Sequence, residues 1–178
     1  KMTFESGGRL KTHDNEKYVR NWWEVPISLI GGIWMSLANG GGFSRWAGMK
    51  YDVVNWSVGA RSFYDQHGGL PKPGSSERKG ICWGLITSGR CSFRVKEQGE
   101  LFTSGAPTIF MTNRENEGAL SIDLAFLNSS IVANLLPKPP SGSFDAEIVD
   151  CADRSVRITK TDWDSFETSR DFKRHPLL

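Results

Sequence analysis

Histidine is scarce in this chain: His13, His67 and His175 are the three copies, and none sits in H-E-x-x-H spacing. Hydrolytic zinc chemistry of the kind that pairs two imidazoles on one helical face is therefore excluded. Cysteine is as sparse. Cys82, Cys91 and Cys151 form no C-x-x-C pair and are odd in number, which argues against a zinc ribbon and against a disulfide framework. Reduced thiols in an intracellular setting are the expectation. The chain holds no G-x-S-x-G, no EF-hand loop, no G-x-x-x-x-G-K-[ST] and no G-x-G-x-x-G. No apolar run reaches the roughly 20 residues that a membrane-spanning helix needs, and no secretory signal is visible. Neither sign of charge dominates, with 22 Lys and Arg against 20 Asp and Glu. A case for a polyanionic partner must therefore rest on local patches. These absences lead us to expect no metal, no cofactor and no enzyme.

What is present fits an ordinary globule of one domain, residues 1–178, with 38% hydrophobic and 24% charged residues. The opening Lys1-Met2 suggests a native start further upstream. "KMTFES" alternates, and Gly7-Gly8 offers a turn. Asp14 is placed to cap a short helix carrying Tyr18, Val19, Trp22 and Trp23. "KYDVVNWSV" reads as a strand, residues 65–79 as a long exposed loop, and residues 136–142, "LPKPPSG", as a stiff proline-rich connection. "GICWGLIT" and "CSFRVKE" flank the turn "SGR", and "PTIFMT" and the alternating "ALSIDLAFL" extend the β-structure. "FDAEIVD" and "SVRIT" read as a hairpin, with a capping box at Thr161 and Asp164 opening a last helix. The expected fold is α+β: a mostly antiparallel β-sheet with two N-terminal helices and one C-terminal helix.

The stretch "PISLIGGIWMSLANGGGFSRW", residues 26–46, is the most unusual. Its glycines follow the apolar run instead of opening a helix, so it is no phosphate loop. Ile27, Ile30, Trp34 and Leu37 fall on one helical stripe, which predicts a packed helix from Pro26 to Asn39 stopped by glycine. Beyond the stop, Phe43, Arg45 and Trp46 form a candidate contact loop for a partner or a membrane surface.

For anions the best signal is "RCSFRVK". Arg90, Ser92, Arg94 and Lys96 share one face of a strand, opposite Cys91, Phe93 and Val95. Arg78 and Lys79 in the preceding loop and Arg157 downstream extend this candidate anion or nucleic-acid surface. A stacking platform for single-stranded RNA would draw on Trp56, Trp83, Phe93 and Arg94. Asp145, Glu147, Asp150 and Asp153 read as a solvated acidic turn. For an unrecognised active site, Asp65, His67 and Asp123 are the polar candidates, without a spacing that names a reaction.

The N-terminal "KMTFESGGRLKTHDNEKYVRNWW" resembles the start of the folded core of rhabdovirus matrix proteins, where a strand leads through a Ser and a basic turn into a helix ending near a Trp. The resemblance covers about 23 residues, and the proline-tyrosine motif and lysine-rich arm usual in that family are absent. It implies a viral structural protein in the host cytoplasm or virion. Such a protein self-associates as a homo-oligomer and contacts nucleocapsid, RNA or an acidic membrane surface without a transmembrane segment. A viral single-stranded RNA-binding protein, a silencing suppressor or movement protein, is the alternative.

Overall fold

The computed structural model describes residues 4–86, 92–111, 117–135 and 146–174. Local chemistry sets the first elements. The Asp14 carboxylate accepts a 3.0 Å hydrogen bond from the Lys17 N–H and so caps α1, Asn15–Tyr18. The chain then extends into β2, Val19–Asn21. The run expected to be a helix from Pro26 to Asn39 is not one. Single 3-10 turns occupy Trp22–Glu24 and Ile27–Leu29, Gly31 takes φ +90°, and β3 runs from Trp34 to Ala38. Gly31-Gly32 weakens a helix by roughly 1 kcal/mol at each position. Pairing with the next strand supplies hydrogen bonds that a short isolated helix would lack.

That next strand is β4, Asp52–Asn55, paired antiparallel with both β2 and β3. β7, Leu101–Phe102, joins β3 in parallel and completes one four-stranded sheet. Helix α2, Val58–Gln66, is capped by the Ser57 hydroxyl. It lays Ala60 and Tyr64 on Leu10, Tyr18, Leu37, Val54 and Leu101. The Tyr64 hydroxyl donates to the Asn55 carbonyl at 2.9 Å, so the buried ring has a partner for its polar end.

The other sheet is built from β1, Phe4–Ser6; β5, Gly80–Trp83; β6, Phe93–Lys96; and β8, Thr108–Met111. They pair antiparallel in the order β1-β8-β5-β6. β5 and β6 are the strands predicted on either side of "SGR", a turn that lies outside the described residues. The α+β class with antiparallel-rich sheets holds, while two stretches expected in sheets are helical. "ALSIDLAFL" lies in α3, Glu117–Leu127, and the predicted hairpin is one helix, α5, Ala146–Trp163. Leu120 and Leu124 satisfy helical spacing as well as alternation, Leu127 satisfies helical spacing alone, and the Ala- and Leu-rich run favours helix. A shorter helix, α4, spans Ser130–Leu135.

α3 covers one face of this sheet, packing Leu120 and Leu124 on Ile81 and Val95, with Val156 of α5 against the same cluster. The opposite face meets the first sheet, where Phe110 contacts Phe102 with ring centroids 5.7 Å apart. After α5 the chain does not begin a new helix at Thr161. It turns back across β2, β3 and the approach to β4: the Trp22 indole N–H donates to the Thr168 carbonyl at 2.8 Å, and Arg170 Nη1 donates to the Ser36 hydroxyl at 3.0 Å. Among the described residues, no helix is long and apolar enough to cross a membrane.

Candidate functional site

Between Cys82 and Arg94 of one sheet and Ser36 and Val53 of the other lies a cavity of about 30 Å³, closed by Trp163 and the turns after α5. That volume holds a water or two, far short of a nucleoside. Arg94 is only 2% exposed, and its Nη1 has no hydrogen-bond partner among the described residues. Around it, burial pushes the Cys82 thiol up to about 11, opposed by the Arg94 charge. Burial likewise raises the Asp52 carboxyl, which a hydrogen bond from Asn39 partly offsets. At the rim Lys50 pairs with Glu100 at 3.1 Å. The rim opens into a groove of about 710 Å³ that carries Lys50, Glu97, Lys160, Arg170 and Asp171 beside Ile30 and Met35. Its mixed donors and acceptors suit a polar ligand with several hydrogen-bonding edges better than a simple anion.

Two residues further along β6, Lys96 is fully buried and has a different role. Its ammonium donates to the carbonyls of Ser75, Ser76 and Arg78 at 3.0, 3.0 and 2.7 Å. It thereby pins the long loop before β5. Burial lowers its pKa to about 8.

The predicted anion residues do not gather on one outer face. The two-residue alternation of β6 is as expected, but the face bearing Arg94 and Lys96 looks inward, since the second sheet covers it. Arg78 is ion-paired with Glu5 and lies over the Phe110 ring, Lys79 is exposed in the loop, and Arg157 is exposed on α5. Arg90 lies outside the described residues. The RNA platform is not assembled either: Trp83 contacts Phe93, whereas Trp56 packs on Tyr64 in the other layer. Asp65 and His67 sit at the exposed end of α2, while Asp123 is buried in α3, so the structure does not join the three. Burial raises the Asp123 carboxyl to about 6, and its Oδ2 has no partner among the described residues. No group of His, Cys, Asp and Glu gathers for a metal among the described residues. Asp150 instead pairs with Arg154, and Asp153 accepts from the Ser121 hydroxyl at 2.5 Å.

The predicted contact loop divides. Phe43 is 58% exposed and Arg45 stacks on it at 5.6 Å, while Trp46 is half-buried against the Ile81 and Val95 cluster. Residues missed in the sequence are those that close the cleft, Trp163 and Arg170. Trp163 reaches it from the last turn of α5 and Arg170 through the chain reversal that follows, which leaves no local signature.

No protein-family model matches the chain. It is 24% identical over 182 residues to an adenine-specific methyltransferase, BrxX, of Escherichia coli O9:H4 (strain HS), an alignment covering 90% of this chain and 15% of that protein. It is 25% identical over 203 residues to an adenine-specific methyltransferase, PglX, of Lacticaseibacillus casei (strain Zhang), covering 95% of this chain and 17% of that protein. The chain thus spans about a sixth of the length of these relatives. These similarities run through nearly the whole chain, where the rhabdovirus resemblance rested on its first residues. They correct that resemblance, the expected viral structural role, its RNA-binding alternative and the expectation of no enzyme.

Proposed function

We propose that this chain serves an adenine-specific methyltransferase by holding the adenine-bearing DNA, not the methyl donor. The observation that carries this reading is the similarity of 90–95% of the chain to continuous stretches of two proteins so named. The division of labour is argued from the fold. An adenosyl-type donor is usually seated where a parallel strand runs through a glycine-rich turn into a helix. Here the sheets are antiparallel apart from β3 and β7, the tri-glycine follows a strand without opening a helix, and the enclosed cavity admits only water. The described residues therefore do not fit the donor, and in a protein built like those relatives its binding would fall outside the matched stretch. The open groove bordered by Lys11, Thr12, His13, Asn39, Thr103 and Ser104, whose lining holds no carboxylate, offers a cation and hydrogen-bonding edges to a polyanion instead.

The test is a pair of titrations on the 178-residue chain. Fluorescence anisotropy with labelled duplex DNA across a salt series should show binding that weakens steeply as salt rises. Calorimetry with S-adenosylmethionine should show no heat of binding. Donor binding without DNA binding would reverse the assignment.

A further inference from the structure

The strongest unassigned feature is the loop end of the molecule, and its interpretation rests on the DNA-holding role just proposed. Phe43 is 58% exposed, Leu85 58% and Ile86 86%, an apolar tip at the surface. The base beneath it is tightly built. A Cβ on Gly40 would lie 2.0 Å from the Gly105 carbonyl oxygen, and Gly40, Gly41 and Gly42 all have positive φ, so only glycine fits this close crossing of loops. A Cβ on Gly84 would lie 3.7 Å from the Gly41 nitrogen, which makes the loop carrying Phe43 and the loop carrying Leu85 and Ile86 neighbours. The Leu85 N–H donates to the Gly105 carbonyl at 2.9 Å, and the Trp46 N–H to the Phe93 carbonyl at 2.9 Å. Arg45 stacks on Phe43, and its buried Nε has no hydrogen-bond partner among the described residues.

Charge identifies the partner. The segments forming this end, residues 39–49, 83–86, 92–95 and 103–107, contain no Asp or Glu, in a chain that has 20 of them. Their charges are Arg45, half-buried beside Phe43, and Arg94, which is 2% exposed and faces the cavity between the sheets, so of the two it is Arg45 that a surface partner meets. A polyanion therefore meets no carboxylate in these segments. Beside the tip runs a groove of about 530 Å³ lined by Lys11, Thr12, His13, Asn39, Thr103 and Ser104. A nucleic acid presents both a stack of rings and a polar backbone beside it.

We propose that Phe43 is a wedge that enters a base step of duplex DNA. Arg45 neutralises the adjoining phosphate, Leu85 and Ile86 cover the opened step, and the polar groove receives the neighbouring backbone. Apolar side chains inserted this way unstack a step and bend the duplex. An enzyme that acts on adenine must draw the base out of the stack, and a wedge holds the vacated gap.

The experiment titrates a DNA duplex pool, randomised around one 2-aminopurine, with the wild-type chain and the Phe43→Ala, Phe43→Leu and Arg45→Ala variants. Emission reports unstacking and anisotropy of a dye-labelled copy reports binding. Wild type should brighten 2-aminopurine several-fold. Phe43→Ala should abolish the rise while weakening binding less than about tenfold, and Phe43→Leu should keep most of it, since leucine also serves as a wedge. Arg45→Ala should lower the slope of log affinity against log salt by about one. Undiminished emission from Phe43→Ala overturns the wedge and leaves DNA holding intact. Failure of wild type to bind duplex DNA at all overturns the underlying reading, and the wedge with it. Binding to phosphatidylserine vesicles that depends on Phe43, with the duplex signal unaffected by its loss, overturns the wedge in favour of membrane contact.

Discussion

On β6, Val95 turns toward α3 and packs with Ile81, Leu120 and Leu124, whereas Arg94 and Lys96 turn toward the second sheet and are buried as deeply. One face of the sheet is an apolar layer held by helix packing. The other encloses two cations. The difference shows what a buried charge requires. Lys96 has three carbonyl acceptors and anchors a loop, while Arg94 has an Nη1 without a partner among the described residues and faces a cavity. The helix-covered face has its own polar exception in Asp123, buried on α3 with an Oδ2 that has no partner among the described residues.

The comparison breaks most severely on the apolar side. Leu124 is 1% exposed, and Leu124→Ala should cost about 3 kcal/mol through lost burial and the cavity left behind, read as a fall in the urea midpoint. On the other face, Lys96→Met should cost about 2 kcal/mol. It relieves a desolvated charge but strands three carbonyls, two of them on half-buried residues that water can partly reach. Hydrogen exchange should then show faster opening of residues 75–78, with the α3 amides unaffected.

Asp123 sharpens the comparison in the opposite direction. Its carboxyl is raised from 3.8 to about 6 by burial, so the native state resists ionisation more than the unfolded chain does. Below pH 3.8 both states are protonated and the group is neutral toward stability; native stability falls as pH rises from 3.8 to about 6 and levels above that. Asp123→Asn should therefore stabilise by on the order of 1–2 kcal/mol at pH 7, less than the full linkage value because the amide is also incompletely paired. Unfolding curves at pH 7 and pH 3.5 decide it: the gain should vanish at the lower pH. A gain of equal size at both would mean that ionisation is not the cause.

The sequence made these faces only half legible. Alternation in "CSFRVK" separates Phe93 and Val95 from Arg94 and Lys96 correctly, because period two follows from the strand itself. Which face is covered depends on residues 19–55 and 101–102 folding into a second sheet, and no local pattern states that. The Asp14 cap and the strand at Asp52–Asn55 were readable because they are local. "ALSIDLAFL" was ambiguous because Leu120 and Leu124 satisfy both periods. In 146–163 the signal was present but divided: Val149, Ala152, Val156 and Trp163 follow helical spacing across the supposed hairpin turn. The cleft-closing Arg170, bonded to Ser36 across 134 positions, is a product of tertiary structure alone.

Arg94 gives the smallest expected change in stability and the finest test of the contrast with Lys96. Arg94 Nη1, buried without a partner among the described residues, contributes desolvation cost without a compensating hydrogen bond, so a methionine of similar volume should fill its space at little loss. Arg94→Met should shift stability by less than about 1 kcal/mol in either direction, against the larger loss at Lys96. Arg94 also opposes the burial that raises Cys82, so the substitution should push that thiol further above its value of about 11 and slow its alkylation in the native state. A loss of 2 kcal/mol or more would mean that water in the cavity of about 30 Å³ satisfies Arg94 as fully as the carbonyls satisfy Lys96. The two cations would then be equivalent anchors. A small shift would instead leave Arg94 as the one of the pair with hydrogen-bonding capacity to spare.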